Sequence, residues 1–144
     1  MTDDLRDIVA SRLRGIRQRL TPNREAIVDV LAASSRPLTI PEVLKTRSGL
    51  AQSSVYRNLV VLVDAGVVHR IVTNDEFARF ELAEDLLGHH HHLICSECGR
   101  VEDVPPNARL EQSLRHAADQ IASATGFHTH THRIDLVGLC RRCA

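Results

Sequence analysis

Apolar side chains in the first half of the chain recur at the spacing of amphipathic helices. Over 5–20 they fall at every third or fourth position, namely Leu5, Ile8, Val9, Leu13, Ile16 and Leu20. Further helices are predicted from Pro22, where Thr21 provides the N-cap, from Pro41, and within 51–66.

After Gly66 the pattern changes from helical to alternating. The segments 67–72 and 78–82 alternate apolar and polar residues around the turn "TNDE", which is typical of a β-hairpin. Helices followed by such a hairpin describe a winged helix-turn-helix. We assign it to residues 1–83.

A second mixture of elements follows the hairpin. The segments with a strand pattern are 92–95, 101–104 and 127–140. An amphipathic helix is predicted over 107–125, with Gly126 as its C-terminal stop. The pattern therefore predicts an α+β chain, in which a hinge at 84–88 leads into a small α/β domain over 89–144.

Composition narrows the class of protein. The chain is 43% hydrophobic but only 3% aromatic, and it has no Trp, so its core is predicted to be aliphatic. No apolar run is long enough to span a bilayer. The first fifteen residues lack the apolar stretch of a secretion signal, which predicts a cytoplasmic protein.

The formal net charge is zero, but the charge is unevenly placed. Residues 1–58 hold ten Arg/Lys and six Asp/Glu, whereas 59–144 hold eight and twelve. The segment 12–24 contains five arginines and no acid. Such asymmetry favours a basic contact module joined to an acidic one, with a merely solvated helix face as the alternative.

The four cysteines form two Cys-x-x-Cys pairs, Cys95 with Cys98 and Cys140 with Cys143. A reducing cytoplasm disfavours disulfides, so the pairs favour one tetrahedral zinc site. Such a site would supply folding free energy to a small domain. A redox-switched pair of dithiols is the alternative.

Nine histidines are present, and four of them are consecutive at 89–92. Side chains of an extended segment alternate in direction, so His90 and His92 should face one way and His89 and His91 the other. One run can thus serve two metal sites, unless it is a solvated polar loop. Imidazoles and carboxylates suit several divalent ions alike. The predicted strand also places His128, His130 and His132 on one face.

The helix within 51–66 offers groups suited to nucleic acid. Its hydroxyls and guanidinium could contact phosphates and base edges; they belong to Ser53, Ser54, Tyr56 and Arg57. Arginines of the basic segment would bind phosphates with salt-sensitive affinity, and the candidates are Arg17, Arg19 and Arg24. Alternatively, Tyr56 packs against the wing.

Five segments together resemble the ferric uptake regulator (Fur) family of bacterial metal-dependent repressors: "LTPNREAIVDVL", "SSVYRNLVVLVDAGVV", "RFEL", "HHHHLICSECGRVEDV" and "HRIDLVGLCRRC". The match runs over nearly the whole chain. The resemblance implies a winged-helix DNA-binding domain and an α/β dimerisation domain. It also implies that a homodimer represses metal-homeostasis genes by binding a palindromic operator in double-stranded DNA.

The resemblance further implies three sets of metal ligands. The structural zinc ligands match Cys95, Cys98, Cys140 and Cys143. The interdomain regulatory site matches Glu81, His90 and His92, with His69 as the remaining ligand. A second regulatory site matches His89, His91 and His132, with Glu111 as its acid; His128 or His130 are substitutes.

Two departures bear on the regulatory ion. Zinc-uptake members of the family commonly place a cysteine in the sensor site, and peroxide-sensing members favour an aspartate where this chain has Glu81. The His/Glu site here favours Zn²⁺ or Fe²⁺, with Mn²⁺ and Ni²⁺ as alternatives.

Other function classes fit the sequence less well. An enzyme is disfavoured, because the chain lacks the zinc-deaminase and His-Glu-x-x-His motifs and a four-cysteine zinc site is closed to substrate. A metal storage or delivery protein would explain the histidines but not the N-terminal helices and hairpin.

Overall fold

The computed structural model describes all 144 residues. The first domain contains α1 (Asp3–Gly15), α2 (Pro22–Ala32), β1 (Leu38–Thr39), α3 (Ile40–Thr46), α4 (Gln52–Asp64), β2 (Val68–Ile71) and β3 (Arg79–Leu82). Its antiparallel sheet has the order β1-β3-β2. The predicted helices and hairpin are confirmed as a winged helix, to which the short β1 adds an unpredicted strand.

One apolar core holds this domain together. It contains 15 buried side chains, drawn from all four helices and the sheet. Helix α4 contributes Val55, Leu59 and Leu62 from a single face, because residues three and four apart lie on the same side of a helix. The opposite face leaves Tyr56 and Val60 exposed.

Local sequence signals set the helix starts. The Thr21 hydroxyl accepts a hydrogen bond from the Arg24 amide, with Pro22 at the first helical position of α2. At α3, Thr39 and Glu42 form a reciprocal capping box.

The predicted helix over 5–20 is too long. Helix α1 ends at Gly15, and Arg17 adopts a left-handed φ of 58°. The Gln18 amide donates to the Leu13 carbonyl at 2.8 Å, which is the bond that closes a Schellman-type helix end. Ile16 and Leu20 therefore continue the apolar spacing without continuing the helix.

Helix α5 (Glu84–Leu87) follows the first domain, and the second domain contains β4 (His91–Cys95), β5 (Val101–Val104), α6 (Ala108–Thr125) and β6 (Asp135–Gly138). Central β4 pairs antiparallel with β5 and parallel with β6. The parallel pair needs a crossover, which α6 provides. Gly126 ends α6 with φ 71°, as predicted. The predicted α/β domain is thereby confirmed.

The strand predicted over 127–140 is mostly wrong. Only Asp135–Gly138 is a strand, and the segment 127–134, which includes the "HTHTH" run, has no regular structure. The reason lies in the pairing: β6 aligns Asp135 with His92, and β4 begins only one residue earlier. Residues before Ile134 therefore have no strand beside them.

Two elements of the second domain, α6 and β6, are largely exposed to solvent. No residue of α6 is buried, and all four residues of β6 are exposed. Apolar side chains left to solvent on these elements include Leu110, Ile121, Leu136 and Val137. No helix combines the length and the apolar character that crossing a membrane requires.

The predicted hinge, 84–88, contains α5 and one glycine. Leu86 packs against the winged-helix core, so α5 is attached to the first domain. Gly88 follows with φ 94° and ψ 157°, a conformation that is essentially open only to glycine.

The wing also contacts the second domain. Arg79 pairs with Asp75 at 2.6 Å, and this ion pair lies against the backbone of Gly99. Gly99 closes the turn that follows Cys98, with φ 68°. The tip of the wing is thus seated on the Cys95–Gly99 turn.

Candidate metal centres

The four cysteine thiols meet where the turn after β4 faces the C-terminal turn. Their sulfur atoms all lie within 4.8 Å of one another, and Cys98 Sγ is 3.8 Å from Cys140 Sγ. Four sulfurs arranged tetrahedrally at 2.3 Å from zinc would be about 3.8 Å apart. The cluster therefore suits a structural zinc ion.

Backbone amides prepare one of these thiols for a metal. The Cys140 amide donates to Cys95 Sγ at 3.3 Å. Amide hydrogen bonds from Cys98 and then Cys140 lower the pKa of Cys95 to about 6. These amides therefore favour the thiolate of Cys95, which is the form that binds metal.

A second cluster lies at the junction of the domains. The Glu81 carboxylate, from β3, is 3.2 Å from His90 Nε2 and 3.1 Å from His92 Nε2. Asp103, from β5, completes a group whose ligand atoms all lie within 4.8 Å of one another. We call these four residues the junction cluster.

His69 lies beside this cluster. It is aligned with Glu81 across β2 and β3, and both side chains line a cavity of about 280 Å³ together with His90, His92 and Arg133. Burial lowers the pKa of His69, and the nearby Arg133 lowers it further. Both effects favour the neutral imidazole, which is the form that binds a metal ion.

Two polar atoms at and beside the junction cluster have no partner within the protein. His69 Nε2 and Asp103 Oδ1 are buried without a hydrogen-bond partner. Burial raises the pKa of Glu81, but hydrogen bonds from His92 and His90 outweigh it and leave that pKa lowered. An ionised carboxylate beside lone pairs that no donor satisfies is a donor set that fits a divalent cation.

Asp103 was missed by sequence reasoning. It lies opposite His92 in the β4–β5 register, so the signal was cross-strand pairing rather than a motif. Burial raises the pKa of Asp103, and the negative charge of Glu81 raises it further. The cost of placing these two carboxylates together is another indication that a cation belongs between them.

A third cluster forms on the other side of β4. Glu111, in the first turn of α6, places one oxygen 2.7 Å from His91 Nε2 and the other 3.1 Å from both His89 Nε2 and His132 Nε2. We call His89, His91, Glu111 and His132 the helix cluster. The helix start that presents Glu111 is fixed by Asn107, whose side chain accepts from two amides of that turn.

The histidine run divides between the two clusters. His90 and His92 face Glu81, whereas His89 and His91 face Glu111. The alternation holds although β4 begins only at His91. The structure does not bring His128 or His130 into either cluster; both are exposed in the irregular segment after α6.

The predicted DNA-contacting residues fall into two groups. Ser53, Tyr56 and Arg57 are exposed on one face of α4, and Tyr56 is 58% exposed. The alternative in which Tyr56 packs against the wing is therefore wrong. Ser54 is half-buried, and its hydroxyl accepts from Asn23.

The arginines of the basic segment also divide. Arg17 and Arg19 are exposed, but the guanidinium of Arg24 is committed within the protein. It donates to Asn58 Oδ1 at 3.0 Å, to Gln18 Oε1 at 2.9 Å and to the Arg19 carbonyl. Arg24 therefore holds the turn after α1 against α4, and Arg19 is the side chain that this arrangement presents.

Comparison with known proteins shows the family to which the chain belongs. The profile described as "Ferric uptake regulator family" matches residues 16–137. The chain belongs to the ferric uptake regulator family. Among its relatives is the peroxide-responsive repressor PerR of Staphylococcus saprophyticus, which is 32% identical over 96% of this chain and 90% of its own length.

Solved structures of Fur proteins share the fold. The Helicobacter pylori ferric uptake regulator superposes with a TM-score of 0.76 at 21% identity, over 98% of this chain and 92% of its own. The Pseudomonas aeruginosa ferric uptake regulator with manganese has a TM-score of 0.70 at 25% identity, over 91% and 96%. The storage or delivery alternative finds no support among these relatives.

Proposed function

We propose that this Fur-family chain is a metal-responsive, DNA-binding transcriptional repressor of metal-homeostasis genes. The observation that carries this function is the junction cluster, because its members come from both domains. Glu81 and the neighbouring His69 belong to the hairpin of the winged helix, whereas His90, His92 and Asp103 belong to the second domain. A metal ion bound by this cluster would hold the two domains at a defined angle.

The residues themselves explain why the cluster needs a cation. Glu81 and His92 are 6% and 5% exposed, so water cannot solvate the carboxylate fully. A bound divalent cation would offset the repulsion between Glu81 and Asp103 and supply bonds that join the two domains. Without it, only hydrogen bonds from His90 and His92 hold Glu81 across the junction.

The response reaches DNA through the spacing of recognition helices. Helix α4 presents Ser53, Tyr56 and Arg57 as contact residues, with Arg17 and Arg19 placed for phosphates. In a two-fold dimer, the interdomain angle sets the separation of the two α4 helices relative to half-sites of a palindromic operator. Metal that favours the DNA-competent arrangement must raise DNA affinity by the same factor by which DNA raises metal affinity.

A homodimer formed through the second domain supports this geometry. The exposed apolar side chains of α6 and β6, such as Ile121 and Val137, are 51% and 64% accessible in the single chain. Apolar surface of this kind is characteristic of an interface. Two copies packed through these elements would cover it.

The three clusters receive different roles. Cys95, Cys98, Cys140 and Cys143 hold a permanent Zn²⁺, whereas the two His/Glu clusters hold the regulatory ion, Zn²⁺ or Fe²⁺, with Mn²⁺ and Ni²⁺ as alternatives. A zinc site closed by four thiolates has no position for a substrate, and we assign the protein no catalytic activity. The cytoplasmic location stays a prediction.

The test is DNA binding by protein whose cysteine cluster retains Zn²⁺. An operator is selected from random duplex DNA and its affinity is measured during titration with Fe²⁺, Mn²⁺, Zn²⁺ and Ni²⁺. Glu81→Gln and His90→Ala should remove most of the response, leaving only the part that the helix cluster supplies, while the dimer stays folded. Asp119→Asn, an exposed acid on α6, is the control and should respond normally. Equal operator affinity with and without metal would refute the function.

A further inference from the structure

The short helix α5 carries two adjacent acidic residues that serve opposite sides of the hinge. The Glu84 carboxylate contacts His89 Nδ1 of the helix cluster. The Asp85 carboxylate pairs with the guanidinium of Arg12 on α1. Successive side chains of a helix do not face the same direction. The two acids therefore link the same helical turn to two different domains.

The contact with Arg12 extends to the recognition helix. The Arg12 guanidinium also donates to the carbonyl of Gly66, which lies just after the end of α4. Leu86, also in α5, packs on the winged-helix core. Any displacement of α5 thus acts on the end of α4 through a charged, bidentate side chain.

Glu84 stands in the position of a residue that orients a metal-binding histidine. His89 offers Nε2 to the helix cluster, 3.1 Å from Glu111 Oε2, and its other ring nitrogen faces Glu84. A carboxylate that accepts the Nδ1 proton fixes the tautomer in which Nε2 carries the free lone pair. The same carboxylate lines the cavity of the junction cluster, so it lies between the two clusters.

We infer that Glu84 is a positioning residue for the helix cluster and that α5 couples this cluster to the DNA-binding domain through Asp85, Arg12 and Gly66. The coupling rests on the proposed function, since it makes the helix cluster a second metal input to the same DNA response. These contacts also determine the sign of the coupling. A metal ion that holds His89 also holds Glu84, and α5 then keeps Arg12 seated on Gly66.

The first test measures Co²⁺ binding in the absence of DNA. Protein with Zn²⁺ in the cysteine cluster and with Glu81→Gln and His90→Ala, which disable the junction cluster, is titrated with Co²⁺ and its visible absorption is followed. Adding Glu84→Gln should raise the Co²⁺ Kd by roughly 10- to 100-fold and change the ligand-field bands of the bound ion. Adding Asp85→Asn should leave the bands unchanged and raise the Kd only by the coupling factor, since linkage is reciprocal. The control Asp119→Asn should leave both unchanged.

The second test follows backbone protection in the same proteins by hydrogen–deuterium exchange. Co²⁺ loading should slow exchange at the amides of Leu87 and Gly88, which bond within α5, and at those of Gly66 and Val67. Asp85→Asn should keep the protection at 87–88 and lose it at 66–67. Thermal unfolding of each variant, measured without Co²⁺ in the helix cluster, checks that the fold is retained.

Two results would overturn the inference. One is an unchanged Co²⁺ Kd in Glu84→Gln, which would show that Glu84 does not position His89. The other is full protection at 66–67 in Asp85→Asn, which would show that α5 does not transmit the signal. Neither readout uses DNA. A failure of metal-dependent operator binding in the unmodified protein would therefore be recognised separately.

Discussion

The winged-helix domain buries 15 apolar side chains in one core, whereas the second domain buries only Ile94, Cys95 and Val101 among its apolar residues. At about 1.5–3 kcal/mol for each buried side chain, three cannot offset the entropy of ordering a domain of this size. What the second domain has instead is a share in three clusters of side chains that could hold a metal ion. The first domain is therefore stabilised by its own core, whereas the second, on the proposed function, depends on bound metal and on a second copy of the chain.

The largest expected effect comes from removing the cysteine cluster. Structural zinc contributes about 10–16 kcal/mol of apparent binding free energy in small domains. Cys98→Ser, or strong chelation of Zn²⁺, should therefore unfold residues 89–144 and leave the winged helix folded. Residue-resolved hydrogen exchange measures the two domains separately.

The matched control for that variant is Glu97→Gln, an exposed residue of the same turn. It should keep both domains folded. Loss of the winged helix together with the second domain in Cys98→Ser would contradict the division, because it would show that the first domain depends on the second.

The next effect tests the core of the first domain. Leu59 is fully buried, so Leu59→Ala should lower the free energy of unfolding of the winged helix by about 2–5 kcal/mol. Denaturant unfolding followed by hydrogen exchange measures it, and zinc binding at the cysteines should not change.

Val60 is the neighbouring residue and is 44% exposed. Val60→Ala should change the free energy of unfolding by less than about 0.5 kcal/mol. A similar loss in both variants would mean that the face of α4 turned toward solvent is also packed.

A smaller effect tests the contact between the domains. A Cβ at Gly99 would stand 2.2 Å from Asp75 Oδ2, in a residue whose φ is 68°. Gly99→Ala should therefore cost the roughly 1–2 kcal/mol of a left-handed alanine and displace the wing tip as well. Gly126→Ala has φ 71° and open space around it, so it isolates the backbone cost.

The displacement is measured by a double-mutant cycle. Asp75→Ala removes the carboxylate that the new methyl group would meet, so its combination with Gly99→Ala should recover part of the loss in stability. Additive losses would show that the wing does not rest on the cysteine turn.

How far the sequence predicts this molecule depends on how local the signal is. The cap at Thr21, the helix stop at Gly126 and the alternation of the histidine run were all readable, because each involves residues a few positions apart. Asp103 was not, because it reaches His92 only through the β4–β5 register. The strand expected over 127–134 failed for a related reason: alternation makes a strand only where a neighbouring strand is available to pair.

Arg24 shows the same limit at the DNA surface. As one of five arginines in a basic segment it looked like a phosphate ligand. Its partner Asn58 lies 34 positions away, and only the fold shows that the guanidinium is occupied. Composition predicted the charged surface, but tertiary contacts decide which charges on it are free.

The difference between the free Arg19 and the occupied Arg24 predicts the smallest of the expected effects. Each Lys or Arg that neutralises a phosphate contributes about one unit to the slope of log affinity against log salt concentration. Arg19→Gln should therefore flatten the slope for operator binding by about one unit. Arg24→Gln should weaken binding at every salt concentration by loosening the turn that presents Arg19, yet leave the slope nearly unchanged. Equal changes of slope in the two variants would mean that Arg24 leaves Asn58 and Gln18 and binds a phosphate in the complex.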